Sequence, residues 1–220
     1  VVADIIDYDL DVLFVGINPG VKSSERSHHF AGPTNHFWPC LSDSGRCLLP
    51  PGVRLGPNDD RSLPAICNMG LTNLVDRPSR MGDELSVAEC RAAAPILTAK
   101  IKKYRPRFVC FVSKQAWDMY SGVGLGLQTA WVSWYNEVED GNFPVLGQND
   151  NDDDGGIYAI QNNLEAEGYR VRGSRMFVMP STSGRVTQYR REDKLAFFKQ
   201  LAELVRKDRQ VRGVKDPWEL

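Results

Sequence analysis

No stretch of the 220 residues approaches the ~20 consecutive apolar positions of a membrane-spanning helix, and no basic, apolar leader opens the chain. Neither a membrane protein nor a secreted one is expected. The five cysteines, Cys40, Cys47, Cys67, Cys90 and Cys110, are odd in number and form no C-x-x-C pair. That argues against zinc or an iron–sulfur cluster and for a reducing, intracellular compartment. Only three histidines occur, His28, His29 and His36, and no acid or cysteine completes ligand spacing with them. No metal and no cofactor is therefore expected. Neither G-x-G-x-x-G nor a P-loop is present, which ranks a nucleotide-binding enzyme of the doubly wound type last among the alternatives. No internal repeat appears.

Net charge is equally scarce, −1 at neutral pH, but it is unevenly placed. Between Glu137 and Asp154 lie seven acids and no Lys or Arg, which leaves 27 bases against 21 acids elsewhere. A mildly basic body with an acidic surface loop is compatible with binding a polyanion, and charge alone fits a merely solvated surface equally well. Hydrophobic residues at 42% and charged residues at 25% are those of a soluble globular protein. The length builds a full core in one domain and is short for two. A single domain over 1–220, working as a monomer, is expected. The chain opens at Val1 rather than Met, so a trimmed catalytic core with flanking tails is expected as well.

Along the chain, strand and helix patterns alternate. Val12 to Val15 is a β-branched and aromatic run that predicts a buried strand of a parallel sheet. Phe37 to Ser44 predicts a short helix, stopped by Gly45. From Arg46 to Arg61, Pro50, Pro51, Gly52, Gly56 and Pro57 predict a surface loop. Leu63 to Met69 leads into a second strand over Gly70 to Val75, ended by Asp76-Arg77-Pro78. Ser86-Val-Ala-Glu89 is a capping box. Behind it Val87, Cys90, Ala94, Leu97, Ile101 and Tyr104 keep the spacing of one helical face, with Pro95 predicting a kink. Arg107 to Ser113 predicts the third and most buried strand, and Lys114 to Tyr120 a short helix. Gly122 to Gly173 reads as an irregular, acidic insertion, with Trp131, Trp134 and Tyr135 as candidates to pin its base. Arg175 to Pro180 predicts the fourth strand. Glu192 to Arg206 predicts a closing helix with Leu195, Phe198, Ala202 and Val205 on one face, acids at its start and bases after its end. The pattern is α/β: a three-layer α/β/α sandwich with a central, mainly parallel four-stranded sheet.

In such a sheet ligand crevices form at the carboxyl ends of the strands. Three loops should converge there: Gly16 to Gly20, Thr72 to Arg77 and Ser181 to Arg185. In Gly16-Ile-Asn-Pro-Gly20, glycine permits a sharp turn and close approach to a ligand, while Pro19 biases Asn18 away from the helical region. One amide side chain is thereby held at the end of a strand. Downstream, His28-His-Phe-Ala-Gly-Pro-Thr-Asn-His-Phe-Trp38 mixes aromatic rings with hydrogen-bonding groups. Alone, either segment fits an ordinary loop before a helix.

Gly16-Ile-Asn-Pro-Gly20, His28 to Trp38, Gly70-Leu-Thr-Asn-Leu-Val-Asp-Arg77 and Met179-Pro-Ser-Thr-Ser-Gly-Arg185, in this order and spacing, resemble the signature blocks of the mismatch-specific uracil/thymine-DNA glycosylases, in the uracil-DNA glycosylase superfamily. The similarity runs from about Asp4 to Arg206, apart from the acidic insertion. It implies hydrolysis of an N-glycosidic bond on a nucleotide flipped out of double-stranded DNA carrying a mismatched or modified pyrimidine, in the nucleus. Asn18 matches the catalytic Asn, whose amide can hold a water beneath C1′ but cannot take its proton as a carboxylate would. Thr72 is the candidate for a second hydrogen bond to that water. Main-chain N–H groups around Ile17 to Gly20 and Phe30 would stabilise negative charge on the leaving base. Phe30 would stack on the flipped ring, and Asn35 would read its polar edge.

The resemblance further assigns Ser181, Thr182 and Ser183 to phosphates, with His29 as another DNA contact, and Arg185 to the hole left by the flipped nucleotide, with Gly184 permitting the approach. No catalytic lysine is implied at Lys22, so a monofunctional enzyme is expected, with Lys22 on a phosphate or solvated. Phe30 stands where some relatives carry Tyr. The competing function is a catalytically silent binder of mismatched or damaged DNA.

Overall fold

The computed structural model describes residues 2–45, 47–121, 170–171 and 173–219. Its strands are β1 (Val12–Gly16), β2 (Met69–Asn73), β3 (Phe108–Phe111), β4 (Arg170–Val171) and β5 (Ser174–Val178). The described helices are α1 (Val21–Arg26), α2 (Phe37–Asp43), α3 (Leu63–Cys67), α4 (Val87–Tyr104), α5 (Lys114–Ser121) and α6 (Arg191–Arg212). The sheet order is β2-β1-β3-β5-β4. The first four strands in that order are parallel, and β4 adds a short antiparallel edge. Strands β1, β2 and β3 are buried at every residue, as continuous apolar runs must be when both faces of a parallel sheet are covered.

Strand alternation divides the core into two layers. Phe14 meets Phe37 of α2 edge-on at 5.1 Å and Phe198 of α6 at 6.0 Å between ring centroids. One residue on in the register, Phe111, the partner of Val15, packs against Trp117 and Tyr120 of α5 at 5.3 and 5.0 Å. Helix α4 lies beside α5. Helices thus cover both faces, as the alternating pattern predicts.

The segment over 46–61 and the closing helix differ from expectation. The segment over 46–61 is not all surface: Leu48 and Leu49 are buried, and a 3₁₀ turn over Pro57–Ser62 buries Asp60. Helix α4 runs unbroken through Pro95, which is exposed, so the hydrogen bond lost to proline faces water. The closing helix is longer, and its basic residues Arg209 and Arg212 occupy its last turn rather than follow it. The insertion predicted over 122–173, with Trp131, Trp134 and Tyr135, lies outside the described residues except for 170–171 and 173.

The extra turns of α6 close a network at the amino ends of the strands. Arg209, 3% exposed, donates from Nε and Nη2 to Asp11 Oδ2 at 3.1 and 2.8 Å, and Arg212 donates to Asp11 Oδ1 at 2.8 Å. Arg212 and Arg107 both donate to Asp208, at 2.7 and 2.9 Å. Burial alone would raise the Asp208 pKa, but the two guanidiniums outweigh it and hold the carboxyl below its usual range.

Candidate active site

The opposite end of the sheet is assembled from the loops that follow β1, β2 and β5. After β1, Asn18 Nδ2 donates to the Arg77 carbonyl at 2.8 Å and to Ser79 Oγ at 2.7 Å. Ser79 returns a bond from its own N–H to the Pro19 carbonyl at 3.2 Å. Its hydroxyl donates onward to the Met81 carbonyl at 2.5 Å. Both amide hydrogens of Asn18 are thereby committed, which determines the orientation of the carboxamide. Its Oδ1 has no partner among the described residues, and the side chain is half-buried. The result is a neutral acceptor held rigidly at the mouth of the sheet.

Beside it stands Phe30. Its φ of +52° is a conformation that bulky side chains rarely adopt, at a cost of about 1–3 kcal/mol. This backbone sets the ring on Phe37, with centroids 4.1 Å apart and planes at 12°. One ring face is covered and the residue stays half-buried. A Cβ on Gly16 would lie 2.6 Å from Asn73 Oδ1 and 3.6 Å from Phe30 Cζ. Two groups therefore close over a position that only glycine leaves open. Asn35 uses its Oδ1 to accept the Phe37 N–H at 2.9 Å, leaving its NH₂ as the free end.

The loop after β5 is fastened from inside. The Thr182 carbonyl accepts the His36 N–H at 2.8 Å. A Cβ on Gly184 would stand 2.4 Å from the Thr34 carbonyl oxygen, so the two loops touch backbone to backbone. Arg185 is exposed, and its Nη1 donates to the Arg80 carbonyl at 3.0 Å, reaching the loop that orients Asn18.

Burial, then the neighbouring Lys194 and Arg191, lowers the His36 pKa, and its Nδ1 is buried without a partner. Burial raises the Cys40 thiol to about 11, so it supplies no thiolate. Among the described residues no group of three His, Cys, Asp or Glu is placed to hold a metal, and no helix is long and apolar enough to cross a membrane.

A half-buried amide acceptor, a half-buried aromatic ring and a fastened basic turn at one sheet end coincide with what comparison finds. The description "Uracil DNA glycosylase superfamily" fits residues 3–206. The chain belongs to that superfamily. A "G/U mismatch-specific uracil DNA glycosylase" of Schizosaccharomyces pombe is 41% identical over 107 residues, which cover 48% of this chain and 32% of the relative. The chain thus matches about a third of that relative's length.

Within this superfamily member the structure gathers Asn18, Ile17, Gly20, Phe30, Asn35, Ser181, Ser183, Gly184 and Arg185 around the carboxyl ends of the strands. Three expected residues point elsewhere. Thr72 is wholly buried; its Oγ1 donates to Asp4 Oδ1 at 2.5 Å and accepts from Lys100 at 3.4 Å. It shares the register of Val15 and Phe111, hence the α4/α5 face, one residue out of phase with the Asn18 side. His29 is 2% exposed, with Nε2 on the Ala3 carbonyl at 2.9 Å and its N–H on Asp60 at 3.0 Å, so it braces the loop rather than meeting DNA. Burial lowers its pKa, against the upward pull of those partners. Thr182 is 1% exposed, which withdraws its hydroxyl from a phosphate. Lys22 pairs with Glu25 in solvent.

Two residues beyond the sequence expectations join the site. Asn73 turns its Oδ1 onto the same side of Gly16 that the Phe30 ring closes over. Ser79 orients Asn18; its signal was a polar residue directly after Asp76-Arg77-Pro78.

Proposed function

We propose that this chain is a monofunctional DNA glycosylase that excises uracil or thymine mispaired with guanine, and 5-formyl- or 5-carboxylcytosine, in the nucleus, as a monomer that starts base excision repair. The observation that carries this is the Asn18 carboxamide, whose nitrogen is tied to Arg77 and Ser79 while its oxygen stays unpaired. That oxygen accepts a hydrogen bond from a water and aims the water's lone pair at C1′. The C1′–N1 bond breaks, its electron pair leaves with the base, and the water oxygen bonds to C1′ with its proton passing to solvent.

The flipped pyrimidine lies on the Phe30 face not covered by Phe37, a contact worth roughly 1–3 kcal/mol. The Asn73 carboxamide can meet both donor and acceptor on the ring edge, and Asn35 NH₂ offers a further donor. Because Asn18 cannot take a proton, departure of the base sets the rate, which favours bases that leave easily and mispairs that open cheaply.

Labelled duplexes carrying G·U, G·T or normal pairs, incubated without metal and treated with alkali, test this. Scission at G·U and G·T and none at normal pairs is expected. Tight binding to a mismatch with no abasic product from any modified base contradicts it and makes the chain a silent mismatch binder.

A further inference from the structure

The fourth residue of α6, Lys194, is 1% exposed. A buried ammonium is costly unless its protons are taken up, and Nζ donates to the Ser183 carbonyl at 3.0 Å and to the Val186 carbonyl at 3.1 Å. These residues are the two ends of a turn closed by Val186 N–H on the Ser183 carbonyl at 3.2 Å. Gly184 and Arg185 form its tip. Docking of α6 does not depend on Lys194, since Arg191 pairs with Asp43, Phe198 packs on Phe14, and Arg209 pairs with Asp11. The acceptors of Lys194 belong to the loop.

A trans peptide points its carbonyl and its following N–H in opposite directions. Drawing the Ser183 and Val186 carbonyls inward onto Nζ therefore turns the N–H groups of Gly184 and Thr187 outward. Neither has a partner among the described residues, and Thr187 is exposed. We propose that Lys194 is a positioning residue for duplex entry: by stapling both ends of the Ser183–Val186 turn from inside, it sets the reach of Arg185 into DNA and presents the Gly184 and Thr187 N–H groups to a backbone phosphate. The substrate in this proposal rests on the glycosylase function; the stapling geometry does not.

The test compares wild type, Lys194→Met, Lys194→Arg, Arg185→Ala and the Lys194→Met/Arg185→Ala double variant. Each acts under single turnover on uracil opposite guanine in a closed duplex and on uracil inside an unpaired bubble of the same duplex, where nothing has to be wedged open. Lys194→Met should slow the closed duplex about 10- to 100-fold, the cost of roughly 1 Å of misplacement, and leave the bubble rate unchanged. It should add little to Arg185→Ala, and Lys194→Arg should recover part of the loss. Equal loss on both substrates, no loss, or full additivity with Arg185→Ala overturns the proposal. If Lys194→Met does not fold, wild-type amide spectra decide during titration with a duplex carrying an abasic analogue. Shifts at Gly184 and Thr187 N–H support stapling; unmoved signals there while Arg185 responds overturn it. Wild type that binds this duplex but excises nothing defeats the glycosylase function alone, and the amide titration still judges Lys194.

Discussion

At the amino ends of the strands, Asp11, Asp208, Arg107, Arg209 and Arg212 bond one another with donors and acceptors matched at 2.7 to 3.2 Å. At the carboxyl ends, Asn18 commits its nitrogen and keeps its oxygen open, Phe30 holds a rare backbone conformation with its half-buried ring stacked on Phe37, and Gly184 presses on Thr34. Helix α6 touches both ends, with Lys194 at one and Arg209 at the other. Satisfied polar groups make a clasp, and groups left unsatisfied in fixed positions make a site, so the same sheet separates stability from chemistry.

Substitutions at the two ends should therefore fail differently. The largest effect is expected from Asn18→Ala: excision of uracil opposite guanine drops on the order of 10²–10⁴-fold, the usual worth of a group positioned on the reacting water. Duplex binding survives, and thermal stability changes by no more than ~1 kcal/mol from two lost hydrogen bonds at a partly open site. Asp11→Ala should do the reverse. It leaves Arg209 and Arg212 facing a void, at a cost of about 3–5 kcal/mol in denaturant unfolding, with excision per folded molecule unchanged. Gly184→Ala, whose Cβ would meet the Thr34 backbone, should cost about 1–3 kcal/mol and slow duplex excision, because the turn that carries Arg185 must shift.

Acid sharpens the contrast. His29 is buried with its pKa lowered from 6.5, so the unfolded chain binds more protons than the folded one. Stability is then full above about 6.5 and falls as pH drops below it towards the folded value. Asp208, also lowered, adds its own loss below 3.8 as pH falls through its folded value. Melting across this range should show the first limb shrink in His29→Gln. Thr72→Val should have the smallest effect: a loss of ~1 kcal/mol from its bonds to Asp4 and Lys100, and no change in excision. A fall in excision there would return Thr72 to the reacting water.

The strands were legible because a parallel sheet buried on both faces demands unbroken β-branched and aromatic runs, as at Val12 to Val15. The turn at Asn18 was legible because proline and glycine punctuate a chain visibly. Thr72 and Asn73 were not separable, since one step of register exchanges the faces of a strand and register does not show in a single strand. Ser79 meets Asn18 across 61 residues, a contact created only when the two loops meet. Lys194 carries its signal only in its place four residues before Phe198 on the buried stripe, a position a solvated lysine would not take. Leu48 and Leu49 were hidden by the prolines that follow them.

The most direct measurement is a crystal structure with a duplex in which guanine opposes a 2′-fluoro-deoxyuridine that resists hydrolysis. The uracil should lie against the Phe30 face opposite Phe37, with a water bound to Asn18 Oδ1 beneath C1′ and the amide nitrogen still on Arg77 and Ser79. A uracil left stacked in the helix, or an Asn18 oxygen turned away from the sugar, would contradict the account.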